Sequence, residues 1–133
     1  MENMILLGTH GRFGEELIRS AELILGEMKN VRSFSLLPGM ALEDYLPPAA
    51  EALKELPKGT LCLGDLFGGT PCNAFCALSR EYENVVVAGL NLAMLMEVYM
   101  NKDRLSGREL ADLAVSTLKE SGKIATELLK ERR

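Results

Sequence analysis

Four short apolar runs, each followed by a longer amphipathic stretch, constrain what this chain can fold into. Met4-Ile5-Leu6-Leu7 is the first strand candidate. Phe13 to Lys29 follows as a helix, with Leu17, Ala21, Ile24 and Leu25 at helical spacing. Val31 to Leu37 reads as the second strand, broken by Pro38-Gly39. A helix from about Leu42 to Leu56 contains Pro47-Pro48, which leaves its start open. Thr60 to Gly64 is the third strand and Thr70 to Tyr82 the third helix. Asn84 to Gly89 is the clearest strand, because Val85-Val86-Val87 is β-branched. Asn91 caps a Leu- and Met-rich helix to Met100. Ser106, with Glu109 three residues on, opens a last long helix through a capping box.

The resulting β-α-β-α-β-α-β-α-α order predicts an α/β fold. Its centre is an open, mainly parallel four-stranded sheet with helices on both faces, joined by right-handed crossovers. The strand order 2-1-3-4, a flavodoxin-like three-layer sandwich, sets strands 1 and 3 side by side. The chain has 133 residues and no repeat or linker, so it reads as a single domain over residues 1–133.

A net charge of −4 with interspersed signs lacks the basic face that nucleic acid or an anionic membrane requires. The chain starts without a basic n-region and long apolar stretch, and no run reaches the length of a membrane span, so a cytosolic protein is expected. There Cys62, Cys72 and Cys76 stay reduced. With a single histidine and no CxxC pair, no metal site is expected, and the three cysteines read as small buried apolar side chains. Met94, Met96 and Met100 read as core filler, and Lys130-Glu131-Arg132-Arg133 as a solvated helix end.

In open parallel sheets, ligands sit past the carboxyl ends of the strands, where the strand order reverses. The loops that meet there are Gly8-Thr9-His10-Gly11 and Asp65-Leu66-Phe67-Gly68-Gly69-Thr70-Pro71. His10 follows a buried strand and has glycines nearby. Its imidazole titrates near neutral pH and can act as a nucleophile, so a catalytic reading outweighs a helix-capping one. Asp65 ends strand 3 within expected reach of His10. A carboxylate on one ring nitrogen selects the tautomer and frees the other nitrogen to attack. Gly68-Gly69-Thr70-Pro71 is a helix start, with Thr70 as N-cap and Pro71 in the first position, and such a start offers free N–H groups to an anion. Thr9, Gly11, Gly68, Gly69 and Thr70 are therefore the candidate phosphoryl-binding residues. Phe67 at the loop tip, and Met40 after strand 2, are candidate partner contacts, each with an alternative packing role.

No Walker A motif, kinase glycine loop, acidic Mg²⁺ cage or serine nucleophile elbow is present. One histidine, one carboxylate and an anion pocket suffice to accept a phosphoryl group from a phosphoprotein and pass it on, with no cofactor.

These segments, from Ile5-Leu6-Leu7-Gly8-Thr9-His10-Gly11 to Ala88-Gly89-Leu90-Asn91 with Met94-Leu95 and Glu97, are in register over residues 4 to about 118. Together with Leu25-Gly26-Glu27, Leu37-Pro38-Gly39 and Asp65 to Pro71 with Asn73-Ala74, they resemble the EIIA component of the mannose family of the bacterial phosphoenolpyruvate-dependent sugar phosphotransferase system. The resemblance implies that His10 is the phosphorylated residue, with Asp65 orienting it and Thr70 contacting the phosphoryl group. It implies the phosphohistidine carrier HPr as donor, a separate IIB component as acceptor, and a homodimer. In some family members the dimer exchanges a C-terminal strand; here Ser121 to Arg133 reads as helix. Phe67 stands where the family often has tryptophan, and Ala93 where it often has proline. Three other readings remain open at this point. One is a phospho-aspartate receiver using Asp65, which would need acidic residues after strand 1 where this chain has Thr9-His10. The second is the phosphotransfer subunit for dihydroxyacetone kinase, and the third a non-catalytic regulatory protein-binding domain.

Overall fold

The computed structural model describes residues 3–131. In chain order its elements are β1 (Ile5–His10), α1 (Phe13–Leu25), β2 (Val31–Leu36), α2 (Leu42–Lys54), β3 (Leu61–Gly64), α3 (Thr70–Tyr82), β4 (Val85–Ala88), α4 (Leu92–Asn101), α5 (Gly107–Ser121) and α6 (Ala125–Glu131). The strands form one sheet of order β2-β1-β3-β4, all parallel. The 2-1-3-4 order expected from the sequence is the order observed.

Alternation along the strands divides the core between the two faces of the sheet. Ile5, Leu7, Leu61, Leu63 and Val87 face α1, α4 and α5, whereas Leu6 and Cys62 face α2 and α3 with Phe34, Tyr45 and Phe75. Ile5, Leu6 and Leu7 are fully buried, and each contributes roughly 1.5–3 kcal/mol of apolar burial. Phe75 meets Phe34 and Tyr45 edge-on, and the Tyr45 hydroxyl donates to the Phe34 carbonyl at 2.7 Å. A Cβ on Gly8 would lie 2.7 Å from Phe75 Cε2, so this aromatic cluster requires glycine two residues before the histidine.

Several local expectations are corrected. β1 continues through Thr9 and His10, because β2 on its outer side is long enough to pair with both. α1 stops at Leu25 rather than Lys29, since Gly26 takes φ +83° and the Glu22 side chain accepts the Met28 N–H beyond the helix end. Ile24 is exposed, not core, while Ala21 and Met28 are buried. α2 begins at Leu42 as expected, where the Asp44 carboxylate accepts the Ala41 N–H at 2.8 Å, and passes through Pro47 and Pro48, but it ends at Lys54 rather than Leu56. No capping box forms at α5: Ser106 is the N-cap, but its hydroxyl makes no cap bond. The last helix divides at residues 122–124 into α5 and α6. Asn91 does cap α4, its side chain accepting the Met94 N–H at 2.8 Å. Arg132 and Arg133, in the terminal charge run, lie outside the described residues.

The cysteines and methionines also divide. Met94 is buried and Met96 half-buried, but Met100 is exposed. Cys62 and Cys72 are buried as expected, whereas Cys76, four residues on from Cys72, lies on the exposed side of α3. Burial pushes the Cys62 thiol up to about 12 and raises Cys72 in the same way. The thiolate is the reactive form. A disulfide-exchange reagent at pH 8 should therefore titrate Cys76 alone in the native protein, and Cys62 and Cys72 only after denaturation. Rapid reaction of all three thiols without denaturant would contradict this packing.

Candidate active site

The carboxyl ends of β1 and β3 are neighbours, and they bring His10 and Asp65 together from 55 residues apart in sequence. Asp65 Oδ2 accepts two hydrogen bonds from the same residue: the His10 backbone N–H at 2.9 Å and the ring Nδ1 at 3.0 Å. Asp65 Oδ1 lies 3.3 Å from Nδ1. A carboxylate only accepts, so Nδ1 carries the proton and Nε2 keeps its lone pair. The Asp65 side chain is only 14% exposed and that of His10 46%, so the orienting group is sheltered while the ring reaches solvent. The Asp65 N–H donates to the Gly8 carbonyl at 3.3 Å, extending the β1–β3 pairing up to the carboxylate.

The loop after β3 closes one side of the ring. A Cβ built on Gly69 would lie 2.6 Å from His10 Cε1 and 3.3 Å from Nε2. Nε2 thus faces the start of α3. Gly69, not Thr70, is the N-cap residue, and Thr70 and Pro71 occupy the first two helical positions. The first helical bond is donated by the Asn73 N–H to the Gly69 carbonyl, so the N–H groups of Thr70 and Cys72 precede the hydrogen-bond ladder. Asn73 also donates from its amide to the Gly68 carbonyl at 3.1 Å, which holds the glycine turn. Gly68 has φ +86°, a conformation that favours glycine.

Other candidate residues have different roles from those expected. Thr9 is fully buried; its hydroxyl accepts the Gly14 N–H at 2.9 Å and donates to the Gly11 carbonyl at 3.3 Å. It therefore staples the turn that carries His10 and does not reach the ring's open side. The Gly11 N–H is donated to the Leu36 carbonyl and the Gly69 N–H to the Leu66 carbonyl, so both peptide donors are already used. Met40 is half-buried, packs on the α2–α3 side of the core, and its sulfur accepts the Leu37 N–H. Phe67, in contrast, is 87% exposed. Two exposed apolar side chains near His10 in sequence or in the facing loop were not singled out from the sequence: Leu66, beside Phe67, and Phe13, at the start of α1. The signal for Leu66 was an apolar pair inside a glycine-rich loop.

The chain thus sets a histidine held by a carboxylate at the switch point of a doubly wound parallel sheet, with the second ring nitrogen toward a helix start. The comparisons identify its family. A family model described as the PTS system fructose IIA component matches residues 4–115, and the chain belongs to that EIIA-man family, the phosphoryl carriers of the sugar phosphotransferase system. It is 39% identical over 123 residues to the mannose-specific EIIAB component of Escherichia coli K12, a match covering 90% of this chain and 38% of that relative's length. It superposes on the phosphotransferase system component EIIA from Streptococcus agalactiae with TM-score 0.86 at 31% identity, covering 96% of this chain and 99% of that one. On the mannose/sorbose-specific IIA subunit from Enterococcus faecalis the TM-score is 0.82 at 34% identity, with coverage of 92% and 94%. No helix among the described residues is long and apolar enough to cross a membrane.

Proposed function

We propose that Nε2 of His10 accepts a phosphoryl group from phosphorylated HPr and passes it to a IIB component. The observation that carries this reading is the pairing of Nδ1 with Asp65 beside an Nε2 that faces the first turn of α3. Nε2 attacks the phosphorus as the bond from phosphorus to the donor histidine breaks. The donor ring leaves with its electron pair, and the His10 ring becomes a phosphorylated imidazolium that keeps its Nδ1 proton. Asp65 balances that positive charge without taking the proton. The Thr70 and Cys72 N–H groups, the Thr70 hydroxyl and the helix dipole favour the phosphoryl oxygens. The reverse sequence of bonds delivers the group to the acceptor, and no metal or cofactor enters either step.

Phe67 and Leu66 are exposed apolar side chains of the loop whose Gly69 lies against the ring, which suits the transient docking of a partner protein. The reading places the protein in the cytosol, where the phosphoprotein partners are found. It also includes a homodimer, supported by the open edges of the small sheet at β2 and β4.

Incubation with phosphoenolpyruvate, enzyme I and HPr, followed by intact mass, tests the transfer. The expected product carries one phosphoryl group, alkali-stable and acid-labile as a phosphohistidine is. His10→Ala should acquire none, because His10 is the only histidine. Phosphate on any other residue of the wild type would overturn the assignment.

A further inference from the structure

Two glycines in succession set conflicting demands beside the imidazole. Gly69 must be glycine for space, since a Cβ there would lie 2.6 Å from His10 Cε1. Glycine is also the residue that ranges most widely in φ and ψ, and Gly68 before it has the same freedom. Group transfer needs the opposite, a fixed wall against the ring and a fixed start to α3.

Three hydrogen bonds hold this segment, and two of them come from one residue. The Gly69 N–H donates to the Leu66 carbonyl at 3.1 Å. The Gly69 carbonyl accepts the Asn73 backbone N–H at 2.9 Å, and the Gly68 carbonyl accepts the Asn73 side-chain amide at 3.1 Å. Asn73 therefore grips both peptide groups that meet at Gly69 Cα. Any residue but proline would supply the backbone bond. The side-chain bond needs a donor with the reach of asparagine, returning five residues along the chain. A carbonyl only accepts, so the amide nitrogen must be the atom that faces Gly68. Asn73 is exposed, and a single hydrogen bond at the surface adds little to the stability of the fold. Its weight lies in geometry instead: it fixes the peptide that adjoins the reacting ring.

We propose that Asn73 is a positioning residue of the transfer. Its amide locks the Gly68–Gly69 peptide, and Gly69 in turn keeps the His10 ring on Asp65 with Nε2 toward the first turn of α3. This rests on the carrier reading above and adds a residue to it. Asn73 acts through Gly69, so its loss should lower the rate of the chemical step and leave the docking of the donor unchanged.

Asn73→Ala and Asn73→Asp test this in the full chain. Alanine removes the donor. An ionised aspartate keeps the shape but cannot donate, and its charge in the first turns of α3 complements the helix dipole, so the helix is not weakened. Both variants should melt within a few degrees of wild type. In single-turnover phosphorylation by phospho-HPr, the maximal rate should fall about tenfold in Asn73→Ala. That is less than the roughly hundredfold cost of a full ångström of displacement, because the Leu66 bond remains. It should fall further in Asn73→Asp, whose charge also opposes the phosphoryl oxygens. The half-saturating concentration of phospho-HPr should stay within about twofold of wild type for Asn73→Ala. Nuclear Overhauser spectra of the unphosphorylated protein supply the second readout. The cross-peak between His10 Hε1 and the Gly69 α-hydrogens, strong in wild type, should lose at least half its intensity in both variants. A wild-type rate in Asn73→Ala, or a cross-peak of full strength, would overturn this role. A half-saturating concentration raised in step with the lost rate would overturn it too, by making Asn73 a donor contact. Those outcomes leave the carrier reading standing. A wild type that takes no phosphoryl group would overturn that reading and this role with it.

Discussion

Asp65→Asn should slow phosphorylation by phospho-HPr by about a hundredfold or more while leaving the fold intact. In the native site Asp65 Oδ2 receives both the backbone N–H and ring Nδ1 of His10. Asparagine has one acceptor oxygen. With that oxygen in the place of Oδ2, the NH₂ group stands where Oδ1 lies, 3.3 Å from Nδ1, and donor faces donor unless Nδ1 becomes the acceptor. The proton then resides on Nε2, and the attacking lone pair is lost. The amide also carries no charge with which to balance the phosphorylated ring. Single-turnover phosphorylation, followed beside a thermal melt of the same variant, checks the prediction. A rate within a few-fold of wild type would show that the carboxylate does not control the tautomer.

Gly69→Ala should produce a comparable loss from a different cause. The backbone at Gly69, φ −78° and ψ 162°, is open to any residue, so the substitution introduces no conformational strain. Its methyl group, however, would stand 2.6 Å from His10 Cε1. The ring is the movable partner. To relieve the contact it must swing out of its hydrogen bond with Asp65 and turn Nε2 away from the start of α3. A displacement of about 1 Å in a reacting group can cost on the order of a hundredfold in rate. The melting temperature should fall by a few degrees at most, because neither core cluster is touched. Full activity in Gly69→Ala would mean that the transfer geometry does not depend on the ring position seen here. A melting temperature lowered by tens of degrees would mean that the glycine is structural instead.

Both variants probe what a few local segments make possible. The paired loops were legible because strand and helix periods alternate without ambiguity in this chain, and the parallel order then leaves one switch point. His10 and Asp65 could be placed there from sequence alone, since both directly follow or end strong apolar runs. Thr9 was misjudged for a physical reason: adjacent strand residues point to opposite faces, so a threonine next to an exposed histidine lies inside. Its hydroxyl then serves the loop backbone. Peptide donors raise a related problem. Whether the N–H of Gly11 or Gly69 is free depends on the Leu36 and Leu66 carbonyls, and no local residue pattern reports that pairing.

The amino-acid sequence by itself determined the class of fold, the strand order and the meeting of His10 with Asp65 at the ends of β1 and β3. Hydrophobic periodicity and the handedness of βαβ units act over short stretches and admit few arrangements. Tertiary structure alone decided which ring nitrogen is bound by Asp65, that Gly69 rather than Thr70 caps α3 and lies against the imidazole, and that Cys76, Ile24 and Met100 face outward. It also decided that α6 separates from α5 at Gly122. Each of these depends on angles and contacts set by packing elements together, where a rotation of one helix or an ångström at one loop reverses the outcome.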